Sequence, residues 1–179
     1  MKTMDVSGYC ARFMSTSRRG FLRGRFSSDS DMQRPPWAIP DGAFEDACTR
    51  CGECLRACPP AILVATAGGY PAVDFSRGEC SFCGDCVSVC KPRALQREDV
   101  AAVPWRLKAA IGDACLARRG VECRVCGEAC GAAAIRFRPS LGGVAQPLFD
   151  AACCTGCGGC LAPCPAGAIA MRNEVEMSE

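Results

Sequence analysis

Cysteine is the residue type in this chain best placed to do chemistry: 18 of its 179 residues are Cys and none is His. Three stretches repeat one spacing, C-x₂-C-x₂-C-x₃-C. They are Cys48, Cys51, Cys54 and Cys58; Cys80, Cys83, Cys86 and Cys90; and Cys154, Cys157, Cys160 and Cys164. Thiolates in this run are ligands of [4Fe-4S] clusters. Ligands two residues apart let one tight loop reach three corners of an iron–sulfur cubane, and small residues such as Gly52, Gly84 and Gly158 let the backbone approach the sulfides. Structural zinc is the competing use of such cysteines. It ordinarily pairs two C-x-x-C knuckles across a longer loop, and three evenly spaced thiols followed by Cys-Pro suit it poorly. The absence of His removes Cys₂His₂ zinc sites, Rieske-type centres and His-based acid–base catalysis together.

In two-cluster ferredoxins the fourth Cys of each run ligates the other cluster. By that rule Cys48, Cys51, Cys54 and Cys90 hold one cluster, and Cys80, Cys83, Cys86 and Cys58 hold its partner. The C-terminal part leaves alternatives open. Cys154, Cys157 and Cys160 hold a third cluster, closed by Cys130 if ligation crosses and by Cys164 if it does not. An irregular run, Cys115, Cys123, Cys126 and Cys130, has seven residues in its first spacer and Gly131 where Pro usually follows. A fourth cluster uses Cys115, Cys123 and Cys126 with either Cys130 or Cys164. In the competing reading Cys115 is a small buried hydrophobe, facing a core with Trp105, Leu107 and Ile111. Cys153, directly beside Cys154, and Cys10, alone near the N-terminus, read as bystanders. Cys90 is followed by Lys91-Pro92 instead of directly by Pro, which predicts a turn shifted by one residue.

The elements that must position these thiols are duplicated. "GGYPAVDFSRGEC" leads into Cys80 and "GGVAQPLFDAACC" into Cys154, with Gly69 and Gly143 each eleven residues before the ligand and Phe75 and Phe149 each five before it. Each unit reads as a hairpin: Ala61–Val64 and Tyr70–Val73 around Gly68-Gly69, then Ile135–Phe137 and its partner around Gly142-Gly143, with glycines at positive φ. The fold class predicted is α+β, as tandem dicluster-ferredoxin-like modules of short hairpins and helices around [4Fe-4S] clusters. Their bounds are 41–99 and 100–172, preceded by a basic arm over 1–40 and followed by a tail over 173–179. Units of about 55 residues bury little apolar surface, so metal centres must replace much of the core.

Other functions find no support. There is no phosphate-binding Gly-rich motif and no nucleophile–base pair, so the chain reads as a non-enzyme. No apolar run approaches the roughly 18 residues of a membrane span. Residues 1–40 carry seven Lys/Arg against three Asp/Glu, and residues 41–179 carry 14 against 16. That asymmetry marks an arm, but no aromatic-interleaved basic surface continues into the body, so nucleic acid is not the expected partner. The arm contains Ser17-Arg18-Arg19-Gly20-Phe21-Leu22, the look of a twin-arginine signal. Export needs an apolar core of roughly seven to fifteen residues, and only Phe21 and Leu22 are available. The expectation is therefore a reducing, cytoplasmic location, where disulfides rarely persist.

The ordered set "SRRGFLRGR", "RPPWAIPDGAF", "CTRCGECLRAC", "GGYPAVDF", "ECSFCGDCVSVC", "WRLKAAIGDACLARRGVECRVCGEAC", "IRFRPSLGGVAQP" and "CTGCGGCLAPCP" resembles the NapF family of ferredoxin-type proteins of the periplasmic nitrate reductase system. The resemblance spans about residues 14–172, and family members would begin near Met14. It implies a cytoplasmic iron–sulfur accessory protein that binds the catalytic molybdenum subunit before export and assists insertion of its [4Fe-4S] cluster. In that setting Arg18 and Arg19 become docking residues for the exported partner. The alternative is an electron-transfer subunit passing electrons to a molybdenum reductase.

Overall fold

A chain that presents a thiol every third residue cannot sustain long regular elements, and those it forms are brief. The computed structural model describes residues 33–99 and 101–173. The chain divides into two units, Met1–Asp31 and Met32–Glu179, and both cysteine-rich halves lie in the second. Helix α1 (Asp41–Ala47) follows Pro40, carries Asp41 in its first turn and buries Phe44; an acidic residue there complements the helix dipole. Three single-turn helices each carry one motif thiol: α2 (Glu53–Arg56) has Cys54, α3 (Asp85–Ser88) has Cys86 and α4 (Val125–Glu128) has Cys126. The third regular run makes turns over 159–163 instead. Gly158, Gly159 and Pro163 together carry too little helix propensity to do otherwise.

Both expected hairpins are present. β1 (Leu63–Ala65) pairs antiparallel with β2 (Pro71–Val73), Leu63 opposite Val73. β4 (Ile135–Ser140) pairs with β5 (Gly143–Phe149), Ile135 opposite Phe149, with a register shift between Arg138 and Ser140. Of each glycine pair only one residue adopts the left-handed conformation, Gly69 at φ 78° and Gly142 at φ 70°.

A third pairing closes the second half end to end: β3 (Leu107–Ile111) runs antiparallel to β6 (Ile169–Asn173), Leu107 opposite Asn173. The first half closes the same way in miniature, through the single bridge Ala38–Leu95. Among the described residues no helix is long and apolar enough to cross a membrane.

Residues 35–39, expected to fall within an arm over residues 1–40, are instead packed into the body. Trp37 is 7% exposed and Pro35 is fully buried. The Trp37 N–H donates to the Pro104 carbonyl at 2.7 Å, Gln96 N–H donates to the Trp37 carbonyl at 2.8 Å, and Trp37 Nε1 donates to the Ala102 carbonyl at 2.9 Å. The apolar content of residues 35–39 explains the correction, since Pro-Pro-Trp-Ala-Ile gains more from burial than from hydration. Residues 1–32, with Cys10, Arg18 and Arg19, and the tail from 174 lie outside the described residues.

The main core gathers Phe44, Ile62, Leu63, Val73, Phe75 and Leu95 from the first half with Leu107 from the second; Trp105, Leu161 and Met171 pack against it. Apolar packing thus runs across the boundary drawn at residue 99. Phe44 is completely buried, 6.3 Å from the Tyr70 ring and capped by the Arg34 guanidinium at 5.0 Å. Phe44→Ala is expected to cost about 3–5 kcal/mol, read as a lower denaturant midpoint of the iron-loaded protein.

Candidate metal centres

Sixteen thiols gather into four groups of four around four cavities. Cys48, Cys51, Cys54 and Cys90 line the first. Cys58, Cys80, Cys83 and Cys86 line the second. Cys130, Cys154, Cys157 and Cys160 line the third, and Cys115, Cys123, Cys126 and Cys164 the fourth. The fourth Cys of every run therefore leaves its own loop for the neighbouring cavity. Of the alternatives open in the sequence, Cys130 stands with the third group and Cys164 with the fourth.

One local conformation repeats behind these groups. Three residues after each fourth Cys the backbone turns left-handed, at Ala61 (φ 52°), Arg93 (φ 59°), Ala133 (φ 51°) and Gly167 (φ 54°). The N–H of that residue donates back to the Cys carbonyl, from Ala61 to Cys58 and Arg93 to Cys90 at 3.0 Å, Ala133 to Cys130 at 2.9 Å and Gly167 to Cys164 at 3.1 Å. The shift predicted for Lys91-Pro92 does not occur. Pro92 occupies the place that Pro60 holds after Cys58, and Arg93 closes the same turn, so the missing first Pro changes nothing in the path. The turn brings backbone donors to sulfur: Leu95 N–H reaches Cys90 Sγ at 3.4 Å and Ala168 N–H reaches Cys164 Sγ at 3.3 Å.

The irregular fourth group is reached by looping out its long spacer. Gly112 N–H anchors the segment on the Ala168 carbonyl at 2.7 Å, Val121 N–H returns to the Leu116 carbonyl at 2.9 Å, and Gly120 turns at φ 81°. Cys115 is 9% exposed and packs with Ala117 and Ala168. It is buried beside Ile111 as one reading expected, but Trp105 and Leu107 belong to a different cluster, and it lines the fourth cavity as the other reading expected. Cys153 stands outside all four groups, exposed, its Sγ donating to Asp150 Oδ2 at 3.3 Å. That hydrogen bond and the carboxylate charge raise the Cys153 thiol, and the same bond lowers Asp150.

Burial, reinforced by neighbouring sulfurs, pushes Cys86 and Cys160 up to about 12 and Cys54, Cys80 and Cys126 to about 11. The neighbours that act on Cys160 are Cys157, Cys154 and Cys130; those on Cys126 are Cys115, Cys164 and Cys123. Thiolates crowded in apolar space need a cation to be stable. An all-sulfur donor set ringing a shared space, with backbone N–H groups on sulfur, fits a [4Fe-4S] cluster.

The sequence reading missed Lys108, whose Nζ donates to the Cys154 carbonyl at 2.8 Å. Its position on β3, a strand paired across more than sixty residues, left no local signal.

Residues 47–94 match the family described as a 4Fe-4S dicluster domain. The ferredoxin-type protein NapF of Escherichia coli strain K12 is 46% identical over 156 residues, covering 87% of this chain and 94% of that protein. NapF of Haemophilus influenzae is 45% identical over 172 residues, covering 90% and 96%. The methylamine utilization ferredoxin-type protein MauM of Methylophilus methylotrophus is 31% identical over 170 residues, covering 86% and 75%. No solved structure matches.

Three outcomes follow for the metal. Cys115→Ser is expected to remove about four irons and Cys153→Ser none, by iron and acid-labile sulfide analysis of anaerobic protein. Metal-free chain is expected to lack cooperative tertiary structure by near-ultraviolet circular dichroism. Cys54, Cys80, Cys86, Cys126 and Cys160, raised by burial, keep their protons at neutral pH and must release them to bind metal, so reconstitution should be more complete at pH 8.5 than at pH 6.5.

Proposed function

The chain belongs to the NapF family of ferredoxin-type proteins, and from that premise we propose that its sixteen grouped thiols hold four [4Fe-4S] clusters in a cytoplasmic accessory protein. Its task is maturation of the catalytic molybdenum subunit of periplasmic nitrate reductase, by assisting insertion of that subunit's own cluster before export. The observation that supports this reading is the set of four thiol-ringed cavities. Bound clusters supply one-electron chemistry and sulfide-bridged iron. The chain's own residues supply crossed thiol ligation, backbone donors at Cys90 and Cys164 sulfur, and two exposed thiol positions, Cys51 and Cys83, where a partner can approach. Arg18 and Arg19 serve as docking residues for that partner in this reading.

A second reading is electron transfer to the molybdenum reductase, favoured by the hydrogen bond that joins the second and third thiol groups, Cys80 N–H to Cys157 carbonyl at 2.8 Å. The two diverge in cells that lack this protein. Maturation predicts that the purified reductase loses iron and activity with an artificial electron donor. A reductase with full iron and full artificial-donor activity, but without physiological electron flow, would favour transfer. Deleting residues 14–26 is expected to weaken capture of the catalytic subunit in pull-downs, and undiminished capture would remove the docking role of Arg18 and Arg19.

A further inference from the structure

The third cysteine run departs from the first two at positions its own ligands do not explain. The residue before the second thiol is left-handed in all three runs, Arg50 at φ 58°, Phe82 at φ 54° and Gly156 at φ 78°. Backbone conformation alone therefore does not require glycine there. Close approach does. A Cβ on Gly156 would stand 2.5 Å from the Leu107 carbonyl oxygen and 2.6 Å from Trp105 Nε1. One on Gly158 would overlap the Phe75 ring, and one on Gly159, where the other runs have Glu53 and Asp85, would overlap the Glu79 carboxylate.

Phe75 and Glu79 lie just before Cys80, a thiol of the second cavity. The Cys80 N–H donates to the carbonyl of Cys157, a thiol residue of the third, at 2.8 Å. Trp105 seals the seam edge-on to both Phe75 and Phe82, each at 5.8 Å between ring centroids. The first and second cavities are already tied by the exchange of Cys58 and Cys90, and the third and fourth by Cys130 and Cys164.

We infer that the glycine loop Gly156–Gly159, bonded through Cys157 to Cys80, joins the two pairs of centres into one electronically coupled row in the order first, second, third, fourth. The inference rests on the reading that the cavities hold [4Fe-4S] clusters. In each exchange a reduced centre gives one electron to its oxidised neighbour, and no bond forms or breaks. The first and fourth centres are then the ends of the row, and the seam is its midpoint.

Electron paramagnetic resonance of anaerobic, dithionite-reduced full chain tests the order. Emptying the third cavity with Cys160→Ser should make the remaining first-half signal saturate at several-fold lower microwave power. Emptying the fourth with Cys115→Ser should leave the first-half signal unchanged. A first-half signal indifferent to the third cavity, or equally sensitive to both, overturns the row. Should Cys160→Ser fail to fold, the unmodified protein gives the reading. After sub-stoichiometric photoreduction, electron redistribution between halves should be first order and independent of protein concentration, and a concentration-dependent rate overturns the proposal. Iron and sulfide counts on the same samples separate the two levels: too little metal defeats the cluster reading, whereas full loading without coupling defeats only the row.

Discussion

Sulfur charge in apolar space is the constraint from which the rest of this molecule follows. Cys86, Cys126 and Cys160 belong to the hydrophobic clusters themselves, and each sits among other thiols that would repel it once ionised. Water cannot relieve that repulsion there, and the chain has no His to neutralise it. Iron–sulfur clusters bound in the four groups would do so while bridging thiols from distant parts of the sequence. Crossing the fourth ligand then makes each loop depend on its neighbour: the first motif cannot close its cavity until Cys90 arrives, nor the second until Cys58 does. Single-turn helices and strands of three to seven residues would then suffice, because bound clusters would fix the separations between them.

Much of this was legible in the sequence because cysteine spacing is a local ruler. The three regular runs, the two hairpins and the eleven-residue interval from glycine to thiol all depend on residues close in the chain. What was not legible depends on encounters between distant ones. The choice between Cys130 and Cys164 depends on where two distant runs come together in space, which no local pattern specifies. Residues 35–39 read as arm because charge was averaged over a window that also held the arginines, which hid their apolar content. The proline rule misread Lys91, since the turn is set by a left-handed residue three positions on, for which Ala61, Arg93, Ala133 and Gly167 serve alike. The need for Gly156 and Gly159 had no local signal, since the side chains they admit, Trp105 and Glu79, lie more than fifty residues earlier.

The charged groups near the thiols are unevenly supplied. Arg56 lies beside Gly52 and Arg97 beside Gly84, so each motif of the first half has a guanidinium near its left-handed glycine. The third motif has aromatic and carboxylate neighbours at that place, with the Lys108 ammonium held instead on the Cys154 carbonyl. Similar ligand sets are thereby given different electrostatic surroundings, the lever by which one protein differentiates otherwise alike centres.

The pairing of Ala38 with Leu95, and of β3 with β6, places the beginning of each half beside its own end. A segment built that way can be copied head to tail along a gene without any strand having to find a new partner, since the connector leaves from where it must return. Between Leu95 and Leu107 that connector is eleven residues, and it supplies Trp105. The joint between the halves is therefore short, and through Trp105 it is also a place where they touch.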